Sequence, residues 1–190
     1  HWPVPAAVLR AAVPAELELD LWEGQAFVGA VPFEMKGIRP AWLPRIMTLD
    51  FLEANLRTYV HHRGEPGVYF FSLEASSWLA VQAARWGWGL PYHHAAMHTA
   101  ADGSEITYAS ERRTDPSATL RVRYCPGEHL GASARGSLEH FLLERYLLFV
   151  RRRGRVWKGQ VHHVPYPAQR VDVLTAEVGL IAAAGLPVPT

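Results

Sequence analysis

The chain has little with which to build a covalent or metal-based framework. Cys125 is the one cysteine in 190 residues, which excludes an intrachain disulfide network and any zinc or iron–sulfur centre that needs several thiolates. Lysine is nearly absent: Lys36 and Lys158 are the only two among 19 Lys and Arg residues, so any amine chemistry has two candidates. No stretch reaches the roughly 18 uncharged apolar residues that would span a bilayer as a helix. An excess of one charge is also lacking. With 19 basic and 18 acidic residues the net charge is +1, whereas a dedicated nucleic-acid or anionic-membrane binder carries a basic surplus. The run Arg151-Arg152-Arg153-Gly154-Arg155 reads as a solvated turn. Repeats, a glycine-rich dinucleotide fingerprint, a P-loop, a G-x-S-x-G elbow and an H-E-x-x-H pair are all missing.

Apolar residues make up 49% and charged residues 19%, enough for a sizeable core in one domain over residues 1–190. The first residue is His1, and no basic-then-apolar leader follows it. The expectation is a cytoplasmic protein with an N-terminal segment missing.

Proline and glycine fall as punctuation between periodic segments. A short helix over 5–14 is closed by Pro14. Residues 26–34 and 54–62 alternate as strands, and 68–73 is a buried strand. Ser76 opens a helix stopped by Gly87 and Gly89. Strands 93–100 and 104–112 flank the turn pair Asp102-Gly103, and 118–125 is a further strand. Ser137 caps a second helix that runs to Val150. Closing strands at about 155–164 and 169–175 precede a short apolar helix ending near Gly185. Strands in hairpin order with few helices predict a β-rich α+β fold, not a Rossmann fold or a TIM barrel.

Several constellations could carry chemistry. On a strand, Glu53, Asn55, Arg57, Tyr59 and His61 share one face, and Ala54, Leu56, Thr58, Val60 and His62 the other. A carboxylate, an amide and a guanidinium spaced by two could orient a small polar acid, with Arg57 gripping a carboxylate; a solvated face with a Glu–Arg pair is the plainer alternative. His93 and His94 point to opposite faces after Pro91, so one of them can enter a given cavity as a general acid/base. Histidine pairs at 61–62, 93–94 and 162–163 offer no metal spacing, because adjacent strand residues diverge, and no metal or other cofactor is expected. Cys125 reads as a structural thiol.

Read in order, Asn55-Leu56-Arg57-Thr58-Tyr59-Val60, Gly67-Val68-Tyr69-Phe70-Phe71-Ser72-Leu73, Gly89-Leu90-Pro91-Tyr92, Ser137-Leu138-Glu139-His140-Phe141-Leu142 with Glu144-Arg145-Tyr146, and Val161-His162-His163 resemble the uncharacterised YqjF-like family across nearly the whole chain. That family is a distant relative of acetoacetate decarboxylase. Ala7 to Pro14, with Leu17-Glu18-Leu19-Asp20, is similar to that enzyme's early helix and its exit. The stretch from Glu65-Pro66 to Tyr92 resembles the approach to its active site. There the enzyme carries two consecutive lysines after the proline, the first forming a Schiff base and the second lowering its pKa. Here Tyr92 and His93 occupy those positions, and Glu53 falls where the enzyme has an active-site glutamate. The enzyme's substrate-binding arginine would precede His1.

The resemblance implies a curved, largely antiparallel sheet closing into a cone-like barrel with flanking helices and a cavity for a small organic ligand, whether carbonyl, carboxylate or phenolic. Its wall would hold Glu53 and His93 as the acid/base pair and Asn55, Arg57 and Tyr92 as ligand-binding groups, with His93 rather than His94 entering the cavity. A Schiff-base decarboxylase is not expected. A non-catalytic binding domain, a lysine-independent lyase or isomerase, and an interaction protein with a vestigial cavity stay open. So does a homo-oligomer.

Overall fold

The computed structural model describes residues 1–38, 48–161 and 165–188. His162 and His163 lie outside them. Among the described residues the chain runs β1 (Trp2–Val4), α1 (Ala6–Ala12), β2 (Glu18–Leu19), β3 (Ala26–Ile38), β4 (Leu49–His62), β5 (Glu65–Ala75), α2 (Trp78–Gly87), β6 (Tyr92–Asp102), β7 (Glu105–Arg112), β8 (Asp115–Ala132), α3 (Leu138–Leu143), β9 (Leu147–Arg152), β10 (Arg155–Gln160), β11 (Pro167–Glu177) and α4 (Gly179–Ala183). It is a β-rich α+β fold. The main sheet is ordered β1-β3-β4-β5-β6-β7-β8-β11, antiparallel throughout except where β6 and β9 meet β5.

Local chemistry accounts for most joints. Arg63 and Gly64 join β4 to β5 with φ of 54° and 79°, the left-handed pair that a tight hairpin requires. Gly103, at φ 58°, joins β6 to β7 as the Asp102-Gly103 pair predicts. Ser77, not Ser76, caps α2, its hydroxyl accepting from the Ala80 N–H at 3.3 Å. Ser76 is occupied otherwise. Its N–H donates to Leu52 O and its Oγ accepts from Leu52 N–H, both at 3.0 Å, which fastens the start of α2 to β4.

The helix expected over 137–150 is much shorter. Ser137 does cap it, but α3 ends at Leu143 and the apolar run Leu147 to Val150 is a strand. Leu148 packs with Tyr59 and Val68, and Phe149 with Leu17 and Val60. A strand presents such neighbours to two different packing groups, and pairing with both β5 and β10 overrides the helical spacing.

The sheet is curled. Neighbouring strands lie about 4.8 Å apart, so β4 and β7 would be some 14 Å apart in a flat sheet. Yet the Tyr108 hydroxyl on β7 donates to Glu53 O on β4 at 2.8 Å and also lies 3.2 Å from Phe33 O on β3. The concave face therefore carries Tyr108 together with Val28, Leu56 and Leu120, all buried, and Leu9 of α1 and Leu180 and Ile181 of α4 fill the curl. The outer face is covered at one end by α2, where Val81 meets Phe51 and Ala75, and at the other by α3, where Leu142 meets Tyr59, Val68 and Leu148. Among the described residues no helix is long and apolar enough to cross a membrane.

Candidate functional site

The period-two split of β4 holds in three dimensions, but the polar row expected to line the cavity of the curl lies on the outer face, because the apolar set of β4 packs into the curl. Glu53, Asn55, Arg57 and Tyr59 line up along its outer face, beneath α2 and α3, while Ala54, Leu56, Thr58 and Val60 face the curl. The polar row is withdrawn from water: Glu53 and Asn55 are each 3% exposed. Tyr92 lies on the same face, because β6 enters beside β5 with Tyr92 opposite Leu73, which is itself opposite Asn55. Its hydroxyl donates to Glu53 Oε2 at 2.7 Å.

No cation bonds to Glu53 among the described residues. Burial pushes its carboxyl up to about 7; the Tyr92 hydrogen bond offsets part of the rise and the neighbouring Glu74 charge adds to it. Burial and the Glu53 carboxylate push the Tyr92 phenol the same way, so it stays a donor. The pair is thus a carboxyl that exchanges its proton near neutral pH and a phenol that holds one oxygen in place.

The other end of the row is tied to α3. Arg57 Nη2 and the Tyr59 hydroxyl both donate to Leu142 O at 2.9 Å. That carbonyl belongs to the last turn of α3, where helix acceptors lack intrahelical partners and a cation is favourable. Between the two ends, Asn55 Oδ1 and Arg57 Nε are buried with no hydrogen-bond partner among the described residues. Unmet groups of this kind cost about 1–3 kcal/mol each.

His93 is on the opposite face. It stands beside Glu74, with Tyr92 and His94 on the Glu53 side, so the register does not bring His93 and Glu53 together as an acid/base pair. Alternation along β6 is the reason: with Tyr92 on the row, the residue after it points into the curl. A second polar centre, which no motif announces, stands there. Glu74, fully buried, accepts from Arg112 Nη2 at 2.6 Å and Nε at 3.1 Å on one oxygen and from the Ser72 hydroxyl at 3.1 Å on the other. The Arg112 side chain spans β6 above Ala95 to reach it. Burial, then Arg112 and Arg85, lower the His93 imidazole to about 4 despite Asp115, so it is neutral at pH 7. Ser110, 2% exposed and two residues from Arg112, has an Oγ with no hydrogen-bond partner among the described residues. Glu74 and Arg112 are 38 residues apart, and no spacing rule joins them.

Neither lysine approaches either centre. Lys36 pairs with Glu34 at 3.1 Å, and Lys158 with Glu65 at 2.8 Å, both side chains about half exposed or more. Cys125 is half-buried. Among the described residues no group of three His, Cys, Asp or Glu side chains is placed to hold a metal. Two shallow hollows, of about 380 and 420 Å³, lie beside α1, one along Ala6, Arg10 and Leu19 and the other along Val13, Glu16, Tyr69 and Arg151. Neither includes a residue of the Glu53 row.

The profile of DUF2071, described as "Uncharacterized conserved protein", matches residues 1–190. The uncharacterized protein YqjF of Bacillus subtilis (strain 168) is 38% identical over the whole chain, which spans 78% of that protein. Among solved structures, acetoacetate decarboxylase from Legionella pneumophila superposes with a TM-score of 0.54 at 15% identity, over 88% of this chain and 66% of that one, just under two thirds of its length. The enduracididine biosynthesis enzyme MppR complexed with pyruvate superposes at 0.57 with 12% identity, over 92% and 73%. At such identities the likeness establishes the fold: this is an acetoacetate decarboxylase-like curled sheet.

Proposed function

Since the chain belongs to the DUF2071 family, related in fold to acetoacetate decarboxylase, we propose that it binds a small carbonyl, carboxylate or phenolic compound at the Glu53 row. Any proton transfer there is carried by Glu53 without a Schiff-base lysine. One observation carries this reading. Along a single buried strand face stand a carboxyl with no cation, an amide oxygen with no donor and a guanidinium nitrogen with no acceptor among the described residues. Folding leaves such groups unmet only at a cost, and a ligand bearing both a carboxylate and a hydroxyl or enol would satisfy them. Arg57 then anchors the anion, Asn55 accepts from the hydroxyl, and Glu53, held by Tyr92, gives or takes a proton. His93 has no part in this arrangement. The exposure and ion pairing of Lys36 and Lys158 favour the lysine-independent form, because a Schiff-base amine must be neutral at working pH.

The test is a thermal-shift screen of 2-oxo acids, 2-hydroxy acids and phenols, since a compound that binds only the folded state raises the melting temperature. At least one class should raise it for the wild type and fail to do so for Arg57→Met. A parallel incubation with acetoacetate and borohydride should leave the intact mass unchanged. A covalent adduct on Lys158 or Lys36 would restore amine chemistry.

A second reading rests on a different observation. Leu9, Tyr108, Leu120, Leu180 and Ile181 fill the curl, as in an interaction protein whose ancestral cavity is vestigial. A screen in which no compound shifts the wild type would favour it.

A further inference from the structure

Among the described residues the last strand of the main sheet has one unpaired edge. Among the described residues β11 pairs only with β8, and every residue from Arg170 to Glu177 is exposed. Val171, Val173 and Leu174 are about half exposed. A long apolar edge with unpaired N–H and C=O groups is a template for another strand, and proteins usually blunt it with lysine, proline or a bulge.

The irregularities here leave most of the edge intact. From Ala168 to Gln169 and from Gln169 to Val171 the extra residues are on β8, which steps from Gly131 to His129 and from His129 to Pro126. The single residue inserted in β11 is Leu174, between Val173 and Thr175. The outer edge of β11 is therefore regular from Pro167 to Val173.

We propose that this edge pairs antiparallel with β11 of a second copy of the chain, about a two-fold axis at Val171. Antiparallel self-pairing places one residue opposite itself. Within the regular stretch, three centres engage two or more residues on each side. A centre at Gln169 sets Arg170 opposite Ala168 and Pro167 opposite Val171. One at Arg170 sets two guanidinium groups face to face. One at Val171 sets Arg170 opposite Asp172 twice, Val171 against Val171, and Gln169 against Val173. Opposite charges directly across a strand pair stabilise it and like charges oppose it, so charge selects Val171. The pairing would join two curled sheets edge to edge and cover the apolar side chains that the monomer leaves in water.

The experiment is sedimentation equilibrium of the full chain and of two charge variants, with circular dichroism verifying that each is folded; both changed side chains are exposed. The wild type should be a dimer. Arg170→Asp, which puts carboxylates opposite each other, should weaken dimerisation about tenfold or more. Arg170→Asp/Asp172→Arg restores the complement and should recover it. With Cys125→Ser, oxidised Val171→Cys should run as a covalent dimer, because the two thiols meet at the axis. A wild type that stays monomeric at about a hundred times the micromolar Kd of a modest interface overturns the proposal. So does a dimer indifferent to Arg170→Asp, or one that the double exchange fails to recover.

Discussion

Glu53 and Glu74 are both buried, on neighbouring strands, with Glu53 opposite Ala75 and Glu74 opposite Ala54. They face opposite ways, and their surroundings differ in kind. Glu74, in the curl, is held by Arg112 and Ser72, so every oxygen has a donor and a cation balances its charge. Burial raises its carboxyl and Arg112 pulls it back. Glu53, beneath α2, has a phenol and, among the described residues, no cation. A buried carboxylate with a fixed partner fastens strands together, here β5 to β7 across the curl. One without a cation is costly to ionise and so poised to move a proton.

The largest test of that contrast is Arg112→Met. It strips the cation from Glu74 and should cost about 3–5 kcal/mol in urea unfolding at pH 7. The double variant Arg112→Met/Glu74→Gln should recover a large part of the loss. If the single variant costs no more than a surface change, Glu74 is not the ion-paired fastener described.

Glu53→Gln should act in the opposite sense and only at higher pH. The folded carboxyl titrates near 7, above its ordinary 4.5. The native state therefore holds its proton more tightly than the unfolded chain, and wild-type stability falls as pH rises from about 4.5 to 7. The glutamine variant escapes this fall and should be more stable than wild type by about 2–3 kcal/mol at pH 8, with little difference near pH 4.5. A gain of equal size at both ends of that range would show that Glu53 does not titrate as described.

Tyr108→Phe links the two faces, since its hydroxyl in the curl serves the Glu53 carbonyl. Loss of that donor from a buried acceptor should cost about 1–2 kcal/mol and leave the pH profile of Glu53 unchanged. A shift in that profile would mean that Tyr108 tunes the carboxyl as well as the sheet.

The smallest effect is expected at His93. Its imidazole titrates near 4 in the fold, below its ordinary 6.5, so wild-type stability declines as pH falls through that window. His93→Gln should flatten the decline in melting temperature between pH 6.5 and 4. If instead it alters the response to pH above 7, His93 and Glu53 interact after all.

The site was legible wherever it depended on one strand. Alternation along β4 placed Glu53, Asn55 and Arg57 on a common face, because side-chain direction in a strand is a local property of the backbone. The hydrogen bond of Tyr92 to Glu53, with His93 on the reverse face, depended on how β6 aligns with β5 after α2. That alignment is fixed by parallel pairing of Leu73 with Tyr92, which no residue pattern within β6 announces. The Leu147 to Val150 run was misread for a similar reason: helical and strand spacing compete in short apolar segments, and the partners on β5 and β10 decide.

By itself, then, the sequence determined the turns, the Ser137 cap, the alternation and the scarcity of amines, all of which follow from bonding and sterics within a few residues. Only the tertiary structure decided which glutamate received an arginine. Curling brings Arg112 over Ala95 to Glu74 and Tyr108 across to β4, while α2 closes over Glu53 with apolar side chains. A carboxyl's charge state depends on what lies within a few ångströms in any direction, and in this protein those neighbours come from strands distant along the chain.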